Sequence, residues 1–116
     1  MLEDKRTDNG HGGFEIRESF FFAGGATVLT LTKTMPLNGM VKEAILDAPA
    51  CLTNPTVTLK LNDGTYDTYD STALADGTIH LLTPNKIFTE EITISLSLFA
   101  APGGPGYTFN IVLKGE

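Results

Sequence analysis

The sequence has no tryptophan and only one cysteine, Cys51. One thiol cannot form an internal disulfide, so the chain is not one of the small secreted domains that depend on disulfides for stability. It also lacks any run of the roughly 20 apolar residues that a membrane-spanning helix needs. The first residues, MLEDKRTDNGHGG, contain no apolar segment of the kind found in signal peptides. We therefore expect a protein that is made in a cytoplasm and has no membrane partner.

Basic residues are scarcer than acidic ones: eight Lys and Arg stand against fourteen Asp and Glu, and the net charge is −6. A phosphate backbone would be repelled by this charge, so nucleic acid is not an expected partner. The 116 residues, of which 41% are hydrophobic, suffice for one globular domain with its own core.

Short segments in which apolar and polar residues alternate recur along the chain, which is typical of β-strands. Residues 39–47, GMVKEAILD, could also form a short helix, but the flanking Gly39 and Pro49 favour a strand. No crossover helices are available, so a parallel sheet is excluded. The pattern predicts an all-β fold, an antiparallel β-sandwich or jelly roll of about eight strands. The predicted strands cover residues 14–22, 27–33, 39–47, 56–62, 65–69, 78–82, 91–99 and 107–113.

Alternation also predicts which side chains face the core. In residues 78–82, TIHLL, we expect Ile79 and Leu81 to point inward and His80 to point outward. Residues 84–90 are predicted to form a connection that crosses between the sheets. The predicted core consists of Leu29, Leu31, Val57, Leu59, Leu61, Ile79, Leu81, Ile92, Ile94, Leu96, Leu98, Phe109, Ile111 and Leu113.

The dipeptide Asp63-Gly64 lies between two strand-like segments and predicts a β-hairpin. With these two residues as the loop, Leu61 would pair with Tyr66, and Lys60 would pair with Asp67. Leu61 and Tyr66 would then share the inner face, and the opposite charges of Lys60 and Asp67 would meet on the outer face.

Residues 1–13 are polar and aperiodic, and they predict a flexible N-terminal arm attached to a single domain of residues 14–116. Such an arm is either disordered or docked on a neighbouring subunit. The second alternative makes His11 a candidate for a protein contact.

Three consecutive phenylalanines, Phe20, Phe21 and Phe22, end the first predicted strand. Neighbouring side chains of a strand point to opposite faces, so all three cannot face one core. They are candidates for contacts between subunits or with a partner, and Phe21 is the one that the alternation favours.

Residues suited to catalysis or to metal binding occur singly. Cys51 has no evident base beside it, and His11 and His80 have no second ligand at a zinc-like spacing. Asp63, Asp67 and Asp70, with Asp76 beyond them, could hold a calcium ion weakly, but their spacing does not match an EF-hand and turns are commonly rich in Asp. No catalytic, cofactor-binding or metal site is therefore predicted, and we expect a protein that is not an enzyme.

The stretch from Phe22 to Gly115 resembles the small β-sandwich accessory proteins of tailed-phage particles, in particular capsid decoration or cement proteins. The resemblance lies in the strand TVTLKLNDGTYDTYDS, the short unit STALADGTIHLLT and the closing segment EITISLSLFAAPGGPGYTFNIVLKGE. It implies a structural protein of the virion that binds a major capsid protein or another virion protein. It also implies a homo-oligomer, with a trimer favoured.

A second interpretation is a binding module for a carbohydrate or a receptor, as part of a phage tail or fibre. The two interpretations predict different surfaces. A cement protein would have a flat apolar contact surface and a flexible arm, whereas an adhesion module would have an exposed aromatic residue or an acidic pocket at one loop end.

Overall fold

The computed structural model describes residues 7–8, 13–64 and 66–116 of the chain, and in these residues every regular element is a β-strand. The strands pair antiparallel in two sheets, so the predicted all-β sandwich is confirmed. No helix in the described residues is long and apolar enough to cross a membrane. The strands are β1 (Thr7–Asp8), β2 (Phe14–Phe22), β3 (Thr30–Pro36), β4 (Gly39–Ala48), β5 (Val57–Asp63), β6 (Tyr66–Asp70), β7 (Thr78–Leu82), β8 (Lys86–Phe88), β9 (Glu91–Leu98) and β10 (Tyr107–Gly115).

Sheet A has the strand order β1-β2-β10-β4-β7, with β8 also paired to β4, and sheet B has the order β3-β9-β5-β6. The pairs are nested: β5 pairs with β6, β4 with β7 and β8, β3 with β9, and β2 with β10. The chain is thus one long antiparallel ribbon that wraps into two sheets. This is the jelly-roll arrangement.

The core lies between the sheets and is built from the inward side chains of both. In β9 the alternation is complete, with Ile92, Ile94, Leu96 and Leu98 buried as predicted. Large aromatic side chains fill the sheet A side, where the rings of Phe22 and Phe109 pack edge to face with centroids 5.6 Å apart.

The ambiguous segment 39–47 forms β4, as predicted, and its inner side chains Ala44 and Leu46 are buried. The segment 84–90, predicted to be only a connection, contains the short strand β8, which continues the edge of sheet A along β4.

The predicted orientation of β7 is wrong. Ile79 and Leu81 are 65% and 62% exposed, whereas His80 and Leu82 point towards the core side. The register decides this, because His80 pairs with the buried Leu46 of β4. The inward position suits His80, because its Nε2 lies 2.7 Å from the carbonyl oxygen of Ala75. Leu29 and Leu31, predicted to be buried, are only half-buried: Leu31 lies in the edge strand β3, and Leu29 directly precedes it.

The hairpin between β5 and β6 is present, but its predicted register is wrong. Asp63 pairs with Tyr66, so Gly64 and not Asp63 occupies the loop, where its φ is +62°. The pairing then skips one residue of β6, so that Leu61 lies opposite Tyr69 and Lys60 opposite Asp70. This bulge places Tyr69 against the core and keeps Leu61 buried.

The predicted N-terminal arm falls mostly outside the described residues, and so does His11. Within it, Thr7–Asp8 form β1, which pairs with Phe14 and Glu15 of β2. These two residues therefore extend sheet A. The boundary between an arm of residues 1–13 and a domain of residues 14–116 otherwise stays a prediction.

Candidate interaction surfaces

The outer face of sheet A carries an apolar patch near its β7 edge. We name Ile45, Ile79, Leu81 and Val112 the sheet A patch. In the register of the sheet, Val112 of β10 lies opposite Ile45 of β4, and Ile45 lies opposite Leu81 of β7. Ile79 is two residues from Leu81 on the same face. Four neighbouring apolar side chains therefore form one surface on the outer face of sheet A.

The sheet A patch is bordered by polar and charged side chains. Asp47 lies opposite Ile79, and Arg17 lies opposite Val112. Arg17 is ion-paired with Glu15 on the same strand. Protein–protein contact surfaces usually have an apolar centre and a polar rim, and exposed apolar patches often mark them. The sheet A patch has this arrangement.

Between the patch and the outer edge of β2, the same face has a shallow depression of about 310 Å³. Arg17, Ser19 and Asn110 line it with polar groups, and Ser19 Oγ donates a hydrogen bond of 2.6 Å to Asn110 Oδ1. The depression is therefore lined by a mixture of polar and apolar groups, with Val112 on its apolar side.

The three consecutive phenylalanines have different environments. Phe20 and Phe22 are 1% and 2% exposed, so they belong to the core and are not available as the contact residues that they were predicted to be. Phe21 points outward and is 58% exposed. Its ring lies over Gly106, where an added Cβ would be 2.6 Å from Phe21 Cζ. A contact role for Phe21 stays a prediction.

A second surface lies at one end of the sandwich, which we call the loop end. It is formed by the connections 23–29, 49–56, 71–77 and 99–106. The first and last of these are joined by a 2.9 Å hydrogen bond from Gly103 N to the oxygen of Gly24. Thr53 donates from its N–H to the carbonyl oxygen of Pro102 at 3.1 Å. Hydrogen bonds therefore link separate loops of this end to one another.

Asp76 completes these links from the connection 71–77. Its Oδ2 accepts hydrogen bonds from Cys51 N at 2.8 Å and from Asn54 Nδ2 at 3.1 Å. The carboxylate thus has a structural role as an acceptor for the loop 49–56.

The loop end also exposes apolar side chains. Phe99 is 85% exposed, and its N–H donates a 2.9 Å hydrogen bond to the oxygen of Thr56, which fixes its backbone. Val28 and Leu52 are exposed in the neighbouring loops. An aromatic ring held by a rigid backbone is suited to stacking against a ligand.

Cys51 and His80, the described residues with reactive side chains of the thiol and imidazole type, both contact backbone oxygens. Cys51 is buried, its Sγ lies 3.4 Å from the oxygen of Pro49, and burial, with a smaller effect of the Asp76 carboxylate, raises the pKa of its thiol. The thiolate required for nucleophilic attack is therefore disfavoured. His80 Nε2 lies 2.7 Å from the carbonyl oxygen of Ala75, so this ring nitrogen is engaged by the backbone.

Within residues 7–8, 13–64 and 66–116, no group of three or more His, Cys, Asp or Glu side chains is arranged as a metal site. Asp63 is at the hairpin and Asp70 lies opposite Lys60, whereas Asp76 is at the loop end. The side chain of Asp67 is not among those that the structure describes, so its part in a calcium site stays a prediction.

Sequence reasoning missed the sheet A patch because it placed Ile79 and Leu81 in the core. The signal was present in TIHLL, where Leu82 provides an alternative inward residue beside His80. The exposed Phe99 was also missed. It directly follows the last buried residue of β9, Leu98, and occupies the outward position of the alternation.

Solved structures with a similar fold include three of different kinds. The first is the CBM36-1 domain of a multidomain xylanase from the hindgut metagenome of Trinervitermes trinervoides, with 14% identity, a TM-score of 0.46 and coverage of 100% of this chain and 87% of that chain. TmCBM61 in complex with β-1,4-galactotriose has 14% identity, a TM-score of 0.46 and coverage of 89% and 66%. A chain of the infectious bursal disease virus Gt strain has 13% identity, a TM-score of 0.42 and coverage of 97% and 32%.

At these identities the likeness concerns the β-sandwich fold alone. The same fold occurs in a viral structure and in a protein bound to a carbohydrate, so it does not choose between the two functions that the sequence suggests. No protein-family model matches the chain, and no curated protein matches it. The surfaces themselves must therefore carry the functional argument.

Proposed function

We propose that this protein is a non-enzymatic structural component of a virus particle, a decoration or cement protein that binds a protein shell through the sheet A patch. The observation that supports this function is the position of Ile79 and Leu81, which are both exposed on the outer face of sheet A. The partner is a major capsid protein or another protein of the virion. The site of action is the particle surface, after synthesis in the host cytoplasm.

The geometry of the patch supports a protein partner. A sheet face is broad and nearly flat, so it fits another flat surface better than it fits a small molecule. Burying Ile79 and Leu81 removes apolar area from water, which contributes roughly 1.5–3 kcal/mol for each side chain that becomes fully buried. The net charge of −6 would oppose contact with an acidic surface, so apolar contacts must provide the affinity.

The test is co-sedimentation of the purified protein with shells assembled from the virus's major capsid protein. The double variant Ile79→Ser, Leu81→Ser should bind at least about tenfold more weakly, since two apolar contacts are lost. Phe99→Ser is the matched control, because Phe99 is equally apolar and more exposed but lies at the loop end. Shell binding that the double variant leaves unchanged, or that Phe99→Ser abolishes, contradicts the assignment.

A second candidate function is carbohydrate or receptor binding at the loop end, in a phage tail or fibre. The 85% exposure of Phe99 favours it, because a sugar ring can stack on an exposed aromatic face. Titration with a panel of oligosaccharides, followed by the Phe99→Ser variant, tests this function. Saturable sugar binding that Phe99→Ser removes, together with no binding to shells, would establish it in place of the first.

A further inference from the structure

We propose that the β7 edge of sheet A pairs with the same edge of a second copy of this chain, antiparallel about a two-fold axis through His80. This pairing goes beyond the proposed function, because it concerns the protein alone and needs no shell. An edge strand of a sheet presents unpaired backbone groups to any other strand, so a sheet edge is the place where a second copy could add.

The two edges of sheet B are protected against pairing. The strand β3 carries Lys33, whose ammonium lies 2.6 Å from the oxygen of Ser19 and 5.1 Å from the centroid of the Phe20 ring. This lysine therefore points across the edge towards sheet A, and Pro36 ends the strand without a backbone N–H. The strand β6 is short, carries Asp67 and Asp70, and is interrupted by its bulge. Inward lysine, proline, charge and bulge are the devices that prevent edge-to-edge association.

The strand β7 has none of these devices. Its sequence from Thr78 to Leu82, TIHLL, contains no charged residue and no proline. Its pairing with β4 runs without a bulge from Ala48 opposite Thr78 to Ala44 opposite Leu82. Because β4 pairs with only one side of β7, half of the β7 backbone N–H and C=O groups point away from the sheet. An open, regular and apolar edge of this kind is a template for another strand.

The side chains of β7 are self-complementary. His80 is the central residue of this five-residue strand. In an antiparallel pair about His80, Ile79 of each copy lies opposite Leu81 of the other, so the same apolar pair forms twice. A two-fold contact requires this property: if residue 79 of one copy contacts residue 81 of the other, then residue 81 of the first copy contacts residue 79 of the second. The two side chains have nearly equal exposure in the single chain, 65% and 62%, and each would cover the other.

The pairing would join two copies of sheet A into one continuous sheet. Ile45, Ile79 and Leu81 of both copies would then form a single apolar surface across the axis. This surface faces the same side as the sheet A patch of each copy. A dimer would thus place the sheet A patches of both copies on one face that a shell can contact.

Sedimentation velocity of the protein alone over a range of concentrations is the first test, and it should show a dimer. Leu81→Lys places a charge at the pairing site, and its ammonium would lie in the row of the partner's Ile79. We expect it to weaken dimerisation at least about tenfold. Ile87→Lys is the matched control, because Ile87 is an aliphatic residue as exposed as Leu81 on the same edge but lies in β8, beyond the pair. A monomer at all concentrations, a trimer, or equal effects of the two variants overturns the proposal.

Disulfide trapping tests the register. Ile79→Cys and Leu81→Cys chains are prepared separately and oxidised alone and as a mixture. Directly opposite residues are close enough for a disulfide after small shifts, whereas position 79 of one copy is only diagonal to position 79 of the other. The mixture should therefore give more covalent dimer than either chain alone. The unsubstituted chain is the control for Cys51, which is buried and should give none.

Equal trapping in all three samples, or trapping in none, overturns the two-fold register. These outcomes are distinct from failure of the proposed function, which shell co-sedimentation measures. A dimer that does not bind shells would retain this inference and refute the cement function. A monomer that binds shells would do the reverse.

Discussion

The carboxylate of Asp76 accepts a 2.8 Å hydrogen bond from the backbone N–H of Cys51, and this bond joins two connections of the loop end that are 25 residues apart in the chain. Asp76→Ala removes the acceptor and leaves the N–H of Cys51 without its partner. We expect a loss of about 1–3 kcal/mol in the free energy of unfolding, measured by urea denaturation. Asp76→Asn keeps an acceptor oxygen and should lose less. Equal losses for the two variants would show that the charge of Asp76, and not its hydrogen bond, contributes to the free energy of unfolding.

Burial, and to a smaller extent the Asp76 carboxylate, raises the pKa of the Cys51 thiol. The rate of alkylation by iodoacetamide should therefore rise with pH at a higher midpoint than it does for free cysteine. Asp76→Asn should lower this midpoint but leave it above that of free cysteine, because burial is the larger cause. An inflection at or below the pKa of free cysteine would contradict the buried position of Cys51.

The raised pKa also has a consequence for stability. The folded state disfavours the thiolate, so Cys51 stabilises the fold fully below the pKa of the unfolded thiol, and this contribution is lost as pH rises through the folded pKa. Cys51→Ala should remove this part of the alkaline decline in the free energy of unfolding. Comparing the two chains by denaturation in the alkaline range isolates the contribution.

Gly24 is packed against the backbone of the loop 99–106. A Cβ added at Gly24 would lie 2.0 Å from the oxygen of Gly104, so the loops must separate to accept a side chain. Gly24→Ala should cost about 1–3 kcal/mol or more by thermal or urea unfolding. Gly25→Ala is the matched control, because nothing lies within 4 Å of an added Cβ there. A Gly24→Ala variant as stable as Gly25→Ala would mean that the loop end is not packed as described.

Leu96 and Leu81 test the orientation of the strands. Leu96 of β9 is fully buried, and Leu96→Ala should cost roughly 2–5 kcal/mol through lost transfer free energy and the cavity that remains. Leu81→Ala removes the same atoms from an exposed position and should change the free energy of unfolding by no more than about 0.5 kcal/mol in dilute solution. A large loss for Leu81→Ala would restore the inward orientation predicted from the alternation.

The strands of this protein could be predicted from sequence where one alternating pattern had no competitor. In β9, residues 92, 94, 96 and 98 are all apolar and the residues between them are Thr or Ser, so only one face could be buried. In β7 each of the two faces carries an apolar residue: Ile79 and Leu81 lie on one face, and Leu82 lies on the other beside His80. Which face is buried therefore depended on the partner strand. The register with β4 cannot be read from the sequence of β7 alone. It places His80 opposite the buried Leu46 and turns Ile79 and Leu81 outward.

The hairpin shows the same limit on a shorter scale. Asp63-Gly64 correctly predicted a turn, because glycine readily adopts the positive φ of +62° that Gly64 has. The loop nevertheless begins one residue later than predicted, and a bulge follows in β6. The observed register packs Tyr69 against the core, a tertiary contact that the local sequence does not specify.

The sequence by itself determined the all-β class, the inward faces of β5, β9 and β10, and the absence of a disulfide framework. These properties depend on residue type and on a period of two along one strand, which the chain carries locally. Only the tertiary structure decided which surface is apolar, since a strand's outward face is set by its hydrogen-bonded neighbour. Pairing between β4 and β7, whose paired residues run from Ala44 with Leu82 to Ala48 with Thr78, exposes Ile79 and Leu81 and creates the candidate contact surface.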